Sequence, residues 1–170
     1  GSWAREMDQY KTTTSQGIFI NDSKVGVSSN RTNPFFIVSK QETTEDFGVC
    51  YGFNLVYSGN HYAAVQENIN GKLRIIQGIN PFNFCFILNE GDEFQSPEAV
   101  MTFSHAGFSA LSLNMHHFVR EHIVRGPWKN KERPVLLNSW EANYFNFDES
   151  KLVSQAKAAK EAGIELFVLD

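Results

Sequence analysis

The side chains best suited to ligand chemistry stand where two apolar runs end. In the stretch RPVLLNSWEANYFNF, which begins at residue 133, an apolar run stops at a polar and aromatic group: Asn138, Ser139, Trp140 and Glu141. A second apolar run, IELFVLD, ends on Asp170. A tryptophan among polar residues is a feature of sugar-binding sites, where aromatic faces stack on sugar rings. A carboxylate at the end of a strand is a common working group of α/β proteins.

A strand, a helix and a second strand should position these residues. PVLLNSW and IELFVLD have the composition of buried strands, and DESKLVSQAKAAKEAG predicts a helix with Asp148 as its N-cap and Gly163 just past its end. Such a connection nearly always joins two parallel strands. We therefore expect Trp140 and Asp170 on one rim, at the carboxyl ends of adjacent strands. The alternatives are a packed aromatic ring for Trp140 and a helix N-cap for Asp170.

Two parallel strands and one helix do not make a complete sheet. Parallel strands need cover on both faces and neighbours on both sides, and the last strand-like run stops at Asp170. We therefore expect this sequence to be truncated, cut from a longer one that supplies further βα units, eight in total for a barrel.

The first hundred residues have a different pattern. Short runs rich in Val, Ile, Phe and Tyr alternate with turn signals, and they predict an antiparallel β-sandwich over residues 1–105. Asn70-Gly71 predicts a hairpin. NFCFILNEGDEF (83–94) is a further strand-like run with a turn signal at Asn89 to Asp92, and Ala99 to Phe103 is a further expected strand. Residues 106–132 should form a connecting helix and linker, ending at Gly126-Pro127, and residues 133–170 the first β-α-β unit of a (β/α)8 barrel.

The helix around residue 115 carries a one-sided apolar pattern. The side chains that fall on this face at helical spacing are Leu111, Met115, Phe118, Val119, His122 and Ile123. His116, His117 and His122 lie close together there, but their spacings of one and five differ from the i, i+4 pair of a metal site, so we expect no metal.

Bulk composition excludes several classes of protein. The 170 residues carry a formal net charge of −4, which argues against a nucleic-acid partner. No run of about 18 apolar residues predicts a membrane span, and no apolar segment typical of a signal peptide opens the chain, so a cytoplasmic location is expected for a bacterial source. Cys50 and Cys85 are far apart and are expected to be small buried hydrophobes.

Long motifs carry a family resemblance. RPVLLNSWEANYFNF resembles the pattern R-P-V-L-x-N-x-W-E-A-x-Y-F-x-F at the first barrel strand of family-36 glycoside hydrolases, the bacterial and fungal α-galactosidases, and IELFVLD resembles their second strand. Upstream, GSWARE, DFGVCYGFNLVYSGNHYA, GINPFNF and GDEFQSPEAV resemble the end of that family's N-terminal β-sandwich domain. One departure is Ser139, where the family commonly has a second asparagine.

The resemblance implies a function and its residues. It implies retaining hydrolysis of terminal α-linked galactose from oligosaccharides such as melibiose or raffinose, with two catalytic aspartates beyond residue 170, so no catalytic residue is expected in this chain. Asp170 aligns with a galactose-binding aspartate, Trp140 with a tryptophan of the sugar pocket, and Trp3 with a sandwich tryptophan that reaches toward it. The resemblance also implies a homotetramer and no cofactor.

Two other functions stay open at this stage. The first is a non-catalytic β-sandwich carbohydrate-binding module, although such a module should not end in a parallel strand. The second is a related family member that acts on N-acetylgalactosamine or transfers glycosyl groups.

Overall fold

The computed structural model of the chain describes residues 10–28 and 32–170. Within these ranges the chain forms two compact units, one ending at His117 and one running from Phe118 to Asp170. Trp3, one of the residues expected to contact sugar, lies outside the described residues. No helix in the described ranges has both the length and the apolar character needed to cross a membrane.

The first unit is built from antiparallel strands. A short 3-10 turn, Thr14–Gln16, precedes them, and the strands are β1 (Ile18–Asp22), β2 (Phe35–Ser39), β3 (Cys50–Leu55), β4 (His61–Glu67), β5 (Leu73–Ile79) and β6 (Ala99–Ser104). They form two three-stranded sheets with the orders β1-β4-β5 and β2-β3-β6. Every pairing in these two sheets is antiparallel, as the alternating sequence pattern predicts.

The two sheets share one core, which makes the unit a sandwich. Phe36 of β2 is buried together with Ala63 and Val65 of β4, and rings and branched side chains from both sheets pack against them: Phe19, Val38, Phe53 and Ile75. The Phe36 and Phe53 rings stack with their centroids 5.0 Å apart. Along β4, Ala63 and Val65 are two residues apart and so face this core together, and Ala64 between them is buried as well.

The predicted hairpin at Asn70-Gly71 is present between β4 and β5. The connection runs from Asn68 to Lys72, and Gly71 has a φ of 70°, which an L side chain rarely adopts. The Asn68 side-chain oxygen accepts hydrogen bonds from the backbone N–H groups of Asn70 and Lys72, both at 3.0 Å. The hairpin is therefore longer than a two-residue turn and is closed by Asn68.

The strand expected within residues 83–94 is wrong, whereas the turn expected there at Asn89 to Asp92 is confirmed. No strand is present between β5 and β6, and this segment is exposed. Phe84 and Phe86 pack on Phe94, with ring centroids 5.9 and 4.7 Å away, across a turn at Asn89–Asp92. The alternating apolar pattern is that of a strand, but backbone N–H and C=O groups need a partner strand, and no described strand pairs with this segment.

Helix α1 (Gly107–Phe118) starts on the loop that precedes β3. Backbone N–H groups of its first turn donate to carbonyls of that loop: Gly107 to Gly48 at 3.0 Å, Phe108 to Thr44 at 3.0 Å and Ser109 to Glu45 at 2.9 Å. These bonds satisfy donors that a helix N-terminus otherwise leaves without a partner.

The expected apolar face of this helix is buried only in part. Leu111 and Met115 are buried, whereas the chain continues as a π-helical turn, Val119–Ile123, with no buried side chain. The cysteine expectation also holds for one residue only: Cys50 is buried, and Cys85 is exposed in the segment that lacks a partner strand. Burial raises the pKa of the Cys50 thiol.

A buried polar cluster lies beside the sandwich core. The His61 side chain has no exposed surface, and neither ring nitrogen has a hydrogen-bond partner among the described residues. Asn80 donates to Asp22 Oδ2 at 3.2 Å and to the carbonyls of Ser23 and His61 at 3.1 and 3.2 Å. Desolvation lowers the pKa of His61, opposed by the nearby Asp22 carboxylate, so the ring is neutral in the folded protein at neutral pH.

The second unit contains the predicted strand-helix-strand element. Its parts are a 3-10 turn (Pro127–Lys129), β7 (Leu136–Asn138), a short helix α2 (Trp140–Asn143), helix α3 (Glu149–Glu161) and β8 (Leu166–Val168). β7 and β8 pair in parallel, as predicted, with Leu136 opposite Leu166 and Asn138 opposite Val168.

Both expected caps of α3 are present. The Asp148 carboxylate accepts the Lys151 backbone N–H at 2.8 Å, which satisfies one donor of the first turn. At the other end, Gly163 has a φ of 86° and donates to the Lys160 carbonyl, while Ile164 donates to the Ala159 carbonyl. This pair of bonds is a Schellman motif, which requires a left-handed residue where glycine stands.

Candidate functional site

The carboxyl ends of β7 and β8 form a polar rim. Because Asn138 and Val168 are opposite each other in a parallel pair, the residues that follow them leave the sheet at the same edge. The Asn138 side-chain amide donates to Asp170 Oδ2 at 2.9 Å. The Asn138 side-chain oxygen accepts the Trp140 backbone N–H at 2.8 Å. One asparagine therefore joins the two residues that the sequence predicts on this rim.

Ser139 fixes the backbone of the rim. It is only 1% exposed, and its N–H donates to the Val168 carbonyl at 2.9 Å, which extends the sheet by one bond. Its hydroxyl oxygen accepts the Asp170 backbone N–H at 3.3 Å. Its carbonyl accepts the Asn143 N–H at 3.2 Å. Asp170 is therefore held at both its backbone and its side chain, whereas its Oδ1 has no partner among the described residues.

Two aromatic neighbours hold the Trp140 ring. Tyr144 and Phe145 lie nearly perpendicular to it, at 79° and 87°, with centroids 5.3 and 5.0 Å away. Tyr144 has a φ of 47°, a strained conformation for a bulky residue, and its N–H donates to the Trp140 carbonyl at 2.7 Å. This turn keeps the three rings together on the exposed side of α2.

A buried amide anchors the same turn to α3. The Asn143 side chain is 6% exposed and donates to Gln155 Oε1 at 2.7 Å. Buried polar groups with a satisfied hydrogen bond specify one local arrangement, because a shifted arrangement would leave them without partners. The rim therefore has a rigid base on its helix side.

No basic side chain in the described part of the chain forms an ion pair with Asp170. Within residues 10–28 and 32–170, the ion pairs are Lys24 with Asp22 and Lys129 with Glu121, and neither involves Asp170. The described residues also contain no group of three His, Cys, Asp or Glu side chains that could hold a metal. A carboxylate with one oxygen unbonded among the described residues is chemically suited to accept hydrogen bonds from a sugar.

The sequence pattern predicts the two ends of the rim but not the residue between them. Trp140 and Asp170 are brought to one edge, and Asn138, which links them, had no assigned role. The signal that could have found it is an amide at the last position of a strand, opposite the end of the next parallel strand. Ser139, which departs from the family pattern, is the buried residue whose N–H and hydroxyl oxygen bond the backbone at the end of β8.

An antiparallel sandwich followed along the chain by a parallel β-α-β unit, with a tryptophan and a carboxylate at its strand ends, is the organisation of a barrel glycoside hydrolase and its preceding domain. The chain belongs to glycosyl hydrolase family 36. Residues 1–89 match the family model described as the Glycosyl hydrolase family 36 N-terminal domain, and residues 93–170 match the model described as Melibiase. The resemblance and the fold class predicted from the sequence are confirmed.

Relatives align over the whole chain. Alpha-galactosidase AgaA of Geobacillus stearothermophilus is 41% identical and Alpha-galactosidase 1 of Pediococcus pentosaceus 42% identical over 170 residues, all of this chain and 23% of each relative. The crystal structure of AgaB from Geobacillus stearothermophilus superposes with a TM-score of 0.84 at 43% identity, over 94% of this chain and 22% of that one. An AgaA variant solved in complex with raffinose gives a TM-score of 0.86 at 42% identity, over 94% and 22% of the two chains. The chain thus spans about a quarter of the length of these relatives.

Proposed function

We propose that the whole protein to which these residues contribute is a retaining α-galactosidase that removes terminal α-linked galactose from oligosaccharides such as melibiose and raffinose. The observation that carries the proposal is the alignment of the entire chain with α-galactosidases at 41–42% identity. Structures of one such relative in complex with raffinose and stachyose support this substrate class.

The rim supplies one side of the galactose site in this proposal. Asp170 Oδ1 accepts hydrogen bonds from sugar hydroxyls, since Oδ2 is already bonded to the Asn138 amide. The Trp140 ring provides an apolar surface for the C–H face of the sugar. On the family resemblance alone, we also propose Trp3 as a residue that contacts the sugar.

The bond-breaking chemistry belongs to two carboxylates that this chain does not contain. One attacks the anomeric carbon to form a glycosyl-enzyme, and the other protonates the leaving oxygen and then activates water. We assign residues 1–105 to the sandwich domain, 106–132 to a connecting segment and 133–170 to the first β-α-β unit of the catalytic barrel. A homotetramer is the proposed assembly.

The test is hydrolysis of a chromogenic α-galactoside by the whole protein, with the anomer released first identified by NMR. We expect the α-anomer of galactose, because two inversions retain configuration. The 170-residue chain alone should give no turnover. Activity confined to α-N-acetylgalactosaminides, glycosyl transfer with no hydrolysis, or binding of galactosides with no cleavage would each refute the proposal.

A variant pair tests the role of Asp170. Asp170→Ala should lower kcat/KM by at least about a hundredfold, since a charged hydrogen-bond acceptor for the sugar is lost. Glu161→Ala, which removes an exposed carboxylate at the end of α3, is the matched control and should leave kcat/KM unchanged. Equal effects of the two substitutions on kcat/KM would show that Asp170 does not bind the sugar.

A further inference from the structure

We propose that Asn138 is a positioning residue that presents one chosen oxygen of Asp170 to the sugar, an inference that rests on the proposed function. The observation is the double use of a single amide: its nitrogen donates to Asp170 Oδ2 at 2.9 Å and its oxygen accepts the Trp140 N–H at 2.8 Å. The two residues proposed to contact galactose thus share one intermediate side chain.

The carboxylate has two equivalent oxygens, and Asn138 makes them different. A carboxylate at the end of a strand can rotate about its Cβ–Cγ bond, and this terminal torsion has a broad energy profile. The bond from Asn138 occupies Oδ2, and the bond from the Asp170 N–H to the Ser139 hydroxyl, at 3.3 Å, restrains the backbone. Among the described residues, Oδ1 is the carboxylate oxygen without a hydrogen bond, and it is the acceptor proposed for the sugar.

The amide of Asn138 satisfies both partners at this position. The Trp140 N–H needs an acceptor and the Asp170 carboxylate needs a donor, and the asparagine side chain supplies one of each on adjacent atoms. A carboxylate in its place keeps the acceptor and removes the donor. At a pH where both carboxylates are ionised, Asn138→Asp therefore preserves the turn to Trp140 and changes the contact with Asp170 from attraction to like-charge repulsion.

The experiment is a double-mutant cycle in the whole protein, with kcat/KM for a chromogenic α-galactoside as readout. Four proteins are compared: wild type, Asn138→Asp, Asp170→Ala and the double variant. Asn138→Asp should lower kcat/KM about a hundredfold in the wild-type background, because a charge-assisted hydrogen bond becomes a repulsive contact. In the Asp170→Ala background the same change should have less than about a twofold effect, since no carboxylate remains to position.

The outcomes separate this proposal from the proposed function. If wild type is inactive on α-galactosides, or if Asp170→Ala is as active as wild type, the proposed function or its sugar contact fails. If Asp170→Ala is impaired and Asn138→Asp costs the same factor in both backgrounds, or costs nothing, the positioning role of Asn138 is overturned. The melting temperature of Asn138→Asp should stay within about 2 °C of wild type; a large drop together with equal losses in both backgrounds would assign Asn138 to stability instead.

Discussion

Substitution of Gly107, the first residue of helix α1, tests the junction between the sandwich and this helix. Gly107 is buried and has a φ of 81°. A Cβ placed on it would lie 2.6 Å from both Phe47 N and Thr44 O, and closer still to Glu45 O. All three are backbone atoms, which cannot swing aside as the end of a flexible side chain can. Gly107→Ala should therefore separate the helix from the loop.

The expected loss of stability has two sources. A positive φ costs an L-residue about 1–2 kcal/mol by itself. The clash then has to be relieved by moving the helix N-terminus, and this movement lengthens the bonds from Gly107, Phe108 and Ser109 to the loop, now 3.0, 3.0 and 2.9 Å. Each such bond contributes about 1 kcal/mol net. We expect Gly107→Ala to lower the free energy of unfolding by about 4 kcal/mol, a large part of the 5–15 kcal/mol typical of a domain.

Urea denaturation followed by far-UV circular dichroism measures this loss, and the chain offers a matched control. Gly91 has a φ of 87°, and a Cβ there would meet no atom within 4 Å. Gly91→Ala therefore carries the backbone strain without the clash and should cost only about 1–2 kcal/mol. Equal losses for the two variants would show that the contact with the loop does not hold α1 in place, and the reasoning from close approach would be refuted.

Three further predictions concern pH and the aromatic turn. Burial lowers the pKa of His61 in the folded protein, whereas the His61 ring of the unfolded chain takes up a proton near pH 6.5. The free energy of unfolding should therefore fall as pH drops from about 6.5 to 5, and this slope should be smaller in His61→Gln. The Lys151 backbone N–H lowers the pKa of Asp148, so capping is fully present above the unfolded pKa of about 3.9 and is lost as pH falls through the folded pKa; α3 helicity should decline in this range in wild type and not in Asp148→Asn. Tyr144→Gly removes a ring beside Trp140 and should raise KM several-fold, while relief of the positive φ keeps the unfolding free energy within about 1 kcal/mol of wild type.

Each of these has a contradicting result. Parallel pH–stability curves for wild type and His61→Gln would mean that the buried ring is not the titrating group. An unchanged α3 at low pH would show that Asp148 caps equally well when protonated. A normal KM for Tyr144→Gly would show that the Tyr144 ring does not hold the Trp140 ring for the sugar. A raised KM for Tyr144→Phe would contradict the same idea, since phenylalanine keeps the ring contact.

Elements whose cause is local were predictable from the sequence. Helix α3 carries its own boundaries, because Asp148 satisfies the first turn and Gly163 adopts the left-handed conformation after the last. The hairpin between β4 and β5 was located by Asn70-Gly71, although Asn68 closes it. The parallel pairing of β7 and β8 followed from general rules of chain connection rather than from any single residue.

Elements that depend on a distant partner were not predictable from the sequence. The alternating apolar residues around Phe84 and Phe86 satisfy the local pattern of a strand, yet a strand exists only where another strand accepts its hydrogen bonds. The same segment carries Cys85, so the error about the strand and the error about that cysteine have one origin. The residues of a single sequence indicate which side chains favour burial. They do not indicate whether another strand or helix is present to cover those side chains.

The candidate site contains one feature that the sequence predicts and one that depends on a distant partner. That Trp140 and Asp170 share an edge is a consequence of parallel pairing and strand length, and strand ends can be located in a sequence. That Asn138 Nδ2 reaches Asp170 Oδ2 depends on the register, which sets Asn138 opposite Val168. A shift of one residue would turn the Asn138 side chain to the other face of the sheet and leave Asp170 without this partner. The bond that we propose positions the sugar acceptor is therefore produced by non-local register, and a variant that shifts the register of β7 should impair galactoside binding even with Trp140 and Asp170 intact.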